Sequence, residues 1–246
     1  MARFFRWFAL LLTLIASFAR LPGSSGASSL VTLFESRYRQ AHSLEVTFLE
    51  KYLENGQVVR VEAGTAYFRR PGKMRWEYET PEKNLFLVDG KTVWFYVPAD
   101  HTVTRVPAKE STDWRTPLAL LAGEMKTSRV CYQIAVALDE KPESPDHAVL
   151  HCKLRSAAPK SEKPCGPDCV AQGEKSAGSV LFEISKSSGD LIRVLIRDPG
   201  GVGIEFHFTN WRTNPPLNDS IFRFSVPPGV AIVNAELPSG NSTLNP

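Results

Sequence analysis

The side chains best suited to chemistry in this 246-residue chain are four cysteines and five histidines, and their spacing restricts what they can do. Cys131 falls in one strand-like segment and Cys152 in the next, a placement that suits a cross-hairpin disulfide in an oxidising compartment. Cys165-Gly166-Pro167-Asp168-Cys169 resembles a redox Cys-Gly-Pro-Cys motif but has one residue too many and no helix to lower a thiol pKa. A local disulfide is the expected chemistry there. Metal ligation by Cys165, Cys169 and His151 is the weaker alternative, because two thiols without a matching second pair make a poor site. His147 and His151 lie four apart, which on a strand is about 13 Å, too far to clamp one ion. No Gly-x-Ser-x-Gly elbow, His-Glu-x-x-His pair or phosphate-binding glycine loop occurs. The residues point away from an enzyme, and they call for no cofactor and no metal.

What would position these side chains is a series of short alternating segments. A helical pattern comes first, over residues 30–41, with Leu30, Leu33, Phe34, Tyr38 and Ala41 on one face and Ser28 or Ser29 as cap. Leu44, Val46 and Phe48 then alternate with Glu45 and Thr47, and Asn55-Gly56 supplies a type I′ hairpin turn. The return strand, residues 58–69, ends at Pro71-Gly72. Met74, Trp76 and Tyr78 alternate with Arg75, Glu77 and Glu79; residues 85–88 turn at Asp89-Gly90 into 92–97, and Pro98-Ala99-Asp100-His101 leads into 102–106. Turns at roughly every eight to twelve residues are the spacing of a sandwich or barrel.

The meander is interrupted once, by Thr116-Pro117-Leu118-Ala119-Leu120-Leu121-Ala122-Gly123. Thr116 can cap, Pro117 suits the first helical position and Gly123 can end the turn. A helix so wholly apolar is either a core plug or a lid at the mouth of an apolar cavity. Strands resume over 130–138 and 147–154. Residues 157–178, rich in Pro, Lys, Ser and Gly, read as an exposed inserted loop. Residues 180–185 and 191–197 form another hairpin, 203–211 follows the Pro199-Gly200-Gly201 turn, and Phe222-Arg223-Phe224-Ser225-Val226-Pro227-Pro228-Gly229-Val230 adds a last short strand. The polar tail from Leu237 is expected to fray.

The N-terminus bears on compartment. Arg3 and Arg6 precede an apolar run over 7–19 and a small-residue exit at Ser25-Gly26-Ala27, the pattern of a secretory signal peptide. Residues 1–27 are therefore expected to be removed, leaving 28–246 as a soluble exported chain long enough for one all-β domain or two small ones. The run is shorter than the ~20 residues of a spanning helix, and an uncleaved anchor is the alternative. No cysteine follows until Cys131, so a lipid anchor near the mature N-terminus has no attachment site. Cleavage would take Arg3, Arg6 and Arg20 but no acid from 29 basic and 26 acidic residues, leaving 26 of each. The pI of 8.7 then belongs to the precursor, and the basic field of a nucleic-acid binder is missing.

From Gly64 the chain reads Gly-Thr-Ala-Tyr-Phe-Arg-Arg-Pro-Gly-Lys-Met-Arg-Trp-Glu-Tyr, then Leu87-Val88-Asp89-Gly90-Lys91-Thr92-Val93-Trp94-Phe95-Tyr96, then Thr116-Pro117-Leu118-Ala119-Leu120-Leu121. The hairpin over 182–193 and the Phe222-Arg223-Phe224 segment through Val230 follow in order. Together these five pieces resemble the outer-membrane lipoprotein carrier (LolA) family, over roughly residues 30–138 and 179–233. The resemblance implies a mainly β fold, an incomplete antiparallel β-barrel of about eleven strands with short helices covering an apolar cavity. It also implies a monomeric periplasmic carrier of acylated lipoproteins. Such a carrier loads from an inner-membrane ABC lipoprotein-releasing transporter and unloads to an outer-membrane acceptor, without catalysis.

Within that fold, alternation places Phe48, Tyr67, Met74, Trp76, Tyr78, Phe86, Val88, Val93, Phe95, Leu118 and Leu121 on inward faces, as cavity lining or as plain core. Trp94 and Tyr96 share the opposite face of their strand, where a helix could cover them. Arg70 stands at the arginine before proline that in the family hydrogen-bonds backbone carbonyls of the lid helices and keeps the empty cavity closed. The alternative is a solvated strand-end arginine, with Arg69 beside it. The Cys165–Cys169 insertion departs from the family pattern. A binding protein for another amphiphile, a glycolipid or a fatty acid, would share every feature above. A related half-barrel envelope-stress sensor would need a further domain or tether, and a lipid-anchored acceptor would need the early cysteine that is missing.

Overall fold

The computed structural model describes residues 25–111, 118–155, 178–198 and 200–233. Most of the expected leader, Thr116-Pro117, most of the 157–178 loop with Cys165 and Cys169, and the tail from Leu237 lie outside the described residues.

Alternation produces strands β1 Ser43–Glu54, β2 Gln57–Arg69, β3 Lys73–Thr80, β4 Leu85–Val88, β5 Thr92–Val97 and β6 Thr102–Pro107 in the first half of the chain. The second half adds β7 Cys131–Val136, β8 His147–Leu154, β9 Ser179–Ser185, β10 Leu191–Arg197, β11 Val202–Thr213 and β12 Ala231–Val233. They form one open sheet in the order β12-β6-β5-β4-β3-β2-β1-β11-β10-β9-β8-β7. Two helices, α1 Ser25–Arg39 and α2 Ala119–Ala122, lie on one face of this sheet and share its main apolar cluster. That face is called the inner face here.

The centre of the inner face is aromatic. Phe48 on β1 and Trp76 on β3 have ring centroids 4.9 Å apart, Phe48 and Tyr78 5.1 Å, and Trp76 and Phe206 on β11 5.3 Å. Strand β2 runs between Phe48 and Trp76, and it makes room by presenting Gly64 and Ala66 there. A Cβ on Gly64 would meet the backbone carbonyl of Glu77, so only glycine lets β2 and β3 approach this closely.

Tyr67 is the one predicted inward residue that the sheet turns outward. Counted without interruption from the Asn55-Gly56 turn, Glu54 opposite Gln57 would set Phe48 opposite Ala63 and carry Tyr67 inward. A β-bulge between Tyr52 and Leu53 shifts the register by one, so Phe48 pairs with Gly64 and Leu44 with Phe68. One extra residue exchanges the faces of everything beyond it. Phe68 is therefore buried in the inner cluster, and Tyr67 sits half-buried on the outer face beside Glu45 and Arg75.

Three other expectations shift. Helix α1 begins five residues before the predicted start and ends two residues sooner. Ser29 lies inside it and sends its hydroxyl back to Gly26 O at 3.0 Å instead of capping. The segment Phe222 to Val230 is no strand: a 3₁₀ turn, Asp219–Phe222, is capped by the Asn218 side chain, and extended chain follows. Arg69 and Arg75 donate to Leu217 O and Ile221 O at 2.8 Å each and hold this segment against the outer face. Phe224 then covers Trp94 and Tyr96, with centroids 5.4 and 5.6 Å away, where a helix was expected. The strand forms only afterwards, as β12, parallel to β6.

Candidate functional site

The inner face and its helices form the candidate site. Phe48, Met74, Trp76, Tyr78, Phe86, Val88 and Val93 converge in one buried cluster with Leu118 and Leu121, and half-buried Phe95 packs against it. Ten of the eleven residues read from the sequence are thus brought together, Tyr67 being the exception. Phe34 joins the same cluster from the apolar face of α1, and sequence reading missed Phe68, Phe182, Phe206 and Phe208. The alternation of Phe206 and Phe208 along β11 was a sufficient signal for those two.

Helix α2 is short because its role is packing. Leu118, Leu120, Leu121 and Ala122 are all buried, as an all-apolar turn requires. Its end is fixed by the β2–β3 turn, where Gly72 N donates to Ala122 O at 2.8 Å. The same turn fixes α1. Arg70 Nη1 donates to Arg39 O at 2.6 Å and Nη2 to Tyr38 O at 2.9 Å, so one guanidinium caps the helix C-terminus at Arg39 O and adds a second donor to Tyr38 O, which also accepts from Ala41 N at 3.0 Å. Arg69 points the other way, to Leu217 and Asp219. The partner of Arg70 is therefore α1, whereas the apolar helix is held by Gly72. Between the two helix ends lies a pocket of about 390 Å³, lined by Arg39, Arg70, Pro71, Gly123, Glu124, Met125 and Lys126.

Tyr38 fastens the other side of α1. Its hydroxyl accepts from Leu191 N at 2.9 Å, and burial pushes its pKa well above the usual phenol range, so it stays a neutral hydroxyl. Glu35 accepts from both Thr127 N and Oγ1, at 2.8 and 2.9 Å, and ties α1 to the 3₁₀ turn Thr127–Arg129 that leads into β7.

A buried acid lies on the inner face. Glu50 continues the inward set Leu44, Val46, Phe48 and is 1% exposed, with Tyr78 Oη donating to its Oε2 at 2.6 Å. A charged residue at an inward position of an otherwise apolar stripe was visible in the sequence.

The outer face of β8 to β11 and β1 carries the opposite chemistry. Arg193 bridges Glu183 and Glu205 at 2.8 and 2.9 Å, His147 Nδ1 lies 2.9 Å from Glu183, and Lys51 donates to Glu205 at 3.0 Å. His207 stands between Glu205 and Glu143, at 2.7 and 3.3 Å. The hydrogen bond from His207, joined by those from Arg193 and Lys51, outweighs burial and holds the Glu205 carboxyl well below the usual carboxylate range. A depressed folded pKa gives stability that is present above the ordinary value of 4.5 and is lost as the pH falls below it. In urea unfolding, the advantage of wild type over Glu205→Gln is expected to shrink between about pH 6 and about pH 3. An advantage independent of pH would contradict this.

Known proteins agree with the pattern. Residues 39–150 match the family model for the outer membrane lipoprotein carrier protein LolA. The outer-membrane lipoprotein carrier protein of Nitrosomonas europaea is 29% identical over 225 residues, covering 91% of this chain and 98% of that protein. Its counterpart from Methylococcus capsulatus is 29% identical over 237 residues, covering 93% and 97%. Among solved structures, a LolA superfamily protein from Nitrosomonas europaea aligns with a TM-score of 0.43 at 11% identity, over 80% of this chain and 97% of its own. Residues 39–150 thus carry the pattern of the outer-membrane lipoprotein carrier (LolA) family, and over nine-tenths of its length the chain is similar to proteins that bear that name.

Proposed function

We propose that this protein is a periplasmic carrier that shelters the acyl chains of lipoproteins on its inner face and ferries them from the inner to the outer membrane. The observation that carries the reading is the β2–β3 turn, where Arg70 holds α1 and Gly72 holds α2 over one apolar face. Two helices fastened at a single turn make a lid that can lift while the sheet stays paired. Arg70 is the latch of that lid.

The names of the relatives, outer-membrane lipoprotein carrier proteins, support the cargo. The physical need is large as well. At ~0.8 kcal/mol per methylene, three chains of about fifteen methylenes would cost roughly 36 kcal/mol to hold bare in water, so an aqueous crossing requires a sheath. The signal-peptide pattern of residues 1–27 supports export, with residues 28–246 as one carrier domain. An inner-membrane ABC transporter would load such a carrier and an outer-membrane acceptor would unload it; no covalent step is needed.

The reading is tested by incubating the purified mature protein with vesicles bearing a triacylated lipoprotein. The lipoprotein is expected to move into the supernatant as a soluble complex with the carrier. Lipoprotein that stays with the vesicles would reject the reading, and mass spectrometry of co-purified lipid that finds only glycolipid or free fatty acid would favour a carrier for another amphiphile.

A further inference from the structure

Arg70 Nε, Trp76 Nε1 and Asn84 Oδ1 are buried side-chain polar atoms without a hydrogen-bond partner among the described residues. Arg70 spends its other donors on α1, whereas Trp76 has no other donor to spend. Its indole is 0% exposed, with ring centroids of Phe48, Phe206 and Phe68 at 4.9, 5.3 and 5.7 Å. The other two described tryptophans are both less buried, and both are satisfied: Trp94 Nε1 donates to Asp89 Oδ2 at 3.2 Å and Trp211 Nε1 to Leu191 O at 2.8 Å. Tyr78, two residues along on the same face, sends its hydroxyl to Glu50. The polar groups around Trp76 are therefore paired, while the one at the centre of the aromatic cluster is not.

An orphaned donor in an apolar surround is costly, and a phenylalanine would fill much of this space without carrying one. We propose that Trp76 Nε1 is the hydrogen-bond donor to the acyl carbonyl, ester or amide, of the bound lipid. The inference rests on the carrier reading and names what that site selects. A hydrocarbon tail offers an indole only dispersion contacts, but every acyl chain ends in a carbonyl next to its apolar part. Indole N–H can donate and cannot accept, so the partner must be an acceptor. In the low dielectric of this cluster the bond is worth more than in water, and a lipid without a good acceptor leaves the donor unpaired. The site thereby distinguishes acyl lipids from alkyl lipids of the same length and shape.

The test compares a fluorescent diacylglycerol with its dialkyl ether analogue of equal chain length, using the mature protein. Wild type is expected to bind the diacyl probe about tenfold more tightly, the preference that one satisfied buried donor supplies. In a ¹H–¹⁵N spectrum, the Trp76 indole proton should move downfield with the diacyl probe and not with the ether. Trp76→Phe should abolish the preference. Because that change also removes ring volume, Trp76 replaced by 3-benzothienylalanine, which keeps the bicycle and lacks the N–H, should bind both probes with the wild-type affinity for the ether. Equal affinities in wild type, or a preference that survives in the benzothienyl protein, would overturn the inference and leave the carrier reading standing. A wild-type protein that binds neither probe would overturn the carrier reading, and the inference with it.

Discussion

Replacing Arg70 with leucine is expected to tighten retention of a fluorescent acyl probe about tenfold and to block passage of a bound lipoprotein to acceptor membranes. The guanidinium gives two charge-assisted bonds to the last carbonyls of α1, at 2.6 and 2.9 Å. Those bonds exist only while α1 is seated, so they favour the closed, empty protein. On the carrier reading, cargo would have to displace the seated helix to enter, and reseating the helix would help expel it at the acceptor. Without the latch the open state is more populated, loading survives and release fails. The thermal midpoint of the empty protein should fall at the same time, because Arg39 O loses its side-chain donor and Tyr38 O keeps only Ala41 N. Arg69→Leu is the control: Arg69 binds Leu217 O on the outer face, so probe affinity should not change. Titration of the probe and a vesicle transfer assay measure both quantities. Unchanged affinity together with unchanged release in Arg70→Leu would show that α1 is not latched there.

Reduction of the Cys131–Cys152 disulfide is expected to lower the unfolding free energy of the mature protein by about 3 kcal/mol. The two residues are 21 apart in sequence, and opening a loop of that size returns considerable entropy to the unfolded chain. The location adds a local effect. Strand β7 lies at the edge of the sheet, with β8 as its one strand neighbour, and its Tyr132 is exposed. Its amides should exchange faster once the bridge is cut, while those of β1 and β2 keep their protection. The loosening should reach α1 as well, since Glu35 joins that helix to the turn preceding β7. Urea unfolding with and without reductant, with hydrogen exchange read by strand, checks both effects. Coincident unfolding curves, or free thiols at Cys131 and Cys152 in a non-reducing peptide map, would contradict the expectation.

The strands and most of the inner face were legible in the sequence because alternation and turn residues are local signals. Met74, Trp76 and Tyr78 needed only their own spacing. Tyr67 needed more: its face depends on a bulge at Tyr52/Leu53, and two adjacent aromatics, Tyr67 and Phe68, fit either register equally well. The Phe222 to Val230 segment has strand-like residues, but Pro227 and Pro228 cannot donate to a neighbouring strand, and Trp94 and Tyr96 bind Phe224 through ring contacts instead. The start of α1 was misplaced because a serine can either cap a helix or bond back within it, and the choice depends on what the helix rests against. Arg70 was legible as a residue, but its partner helix was not. Nothing local in the sequence says that the β2–β3 turn meets the end of α1 rather than the start of α2. Glu50 carried a signal that alternation alone contains, a charge on an apolar stripe, and its meaning depended on Tyr78 of another strand.

Photo-crosslinking of a triacylated lipoprotein to p-benzoylphenylalanine at position 95, compared with the same residue at position 67, tests most directly whether acyl chains lie on the inner face. Both native side chains, Phe95 and Tyr67, are half-buried, so a reactive group fits either place without a buried void, and the two lie on opposite faces of one sheet. The carrier is expected to crosslink through its acyl chains at Phe95→p-benzoylphenylalanine and not at Tyr67→p-benzoylphenylalanine. Crosslinks of equal yield at both positions, or at position 67 alone, would mean that the cargo is not held between the sheet and its helices.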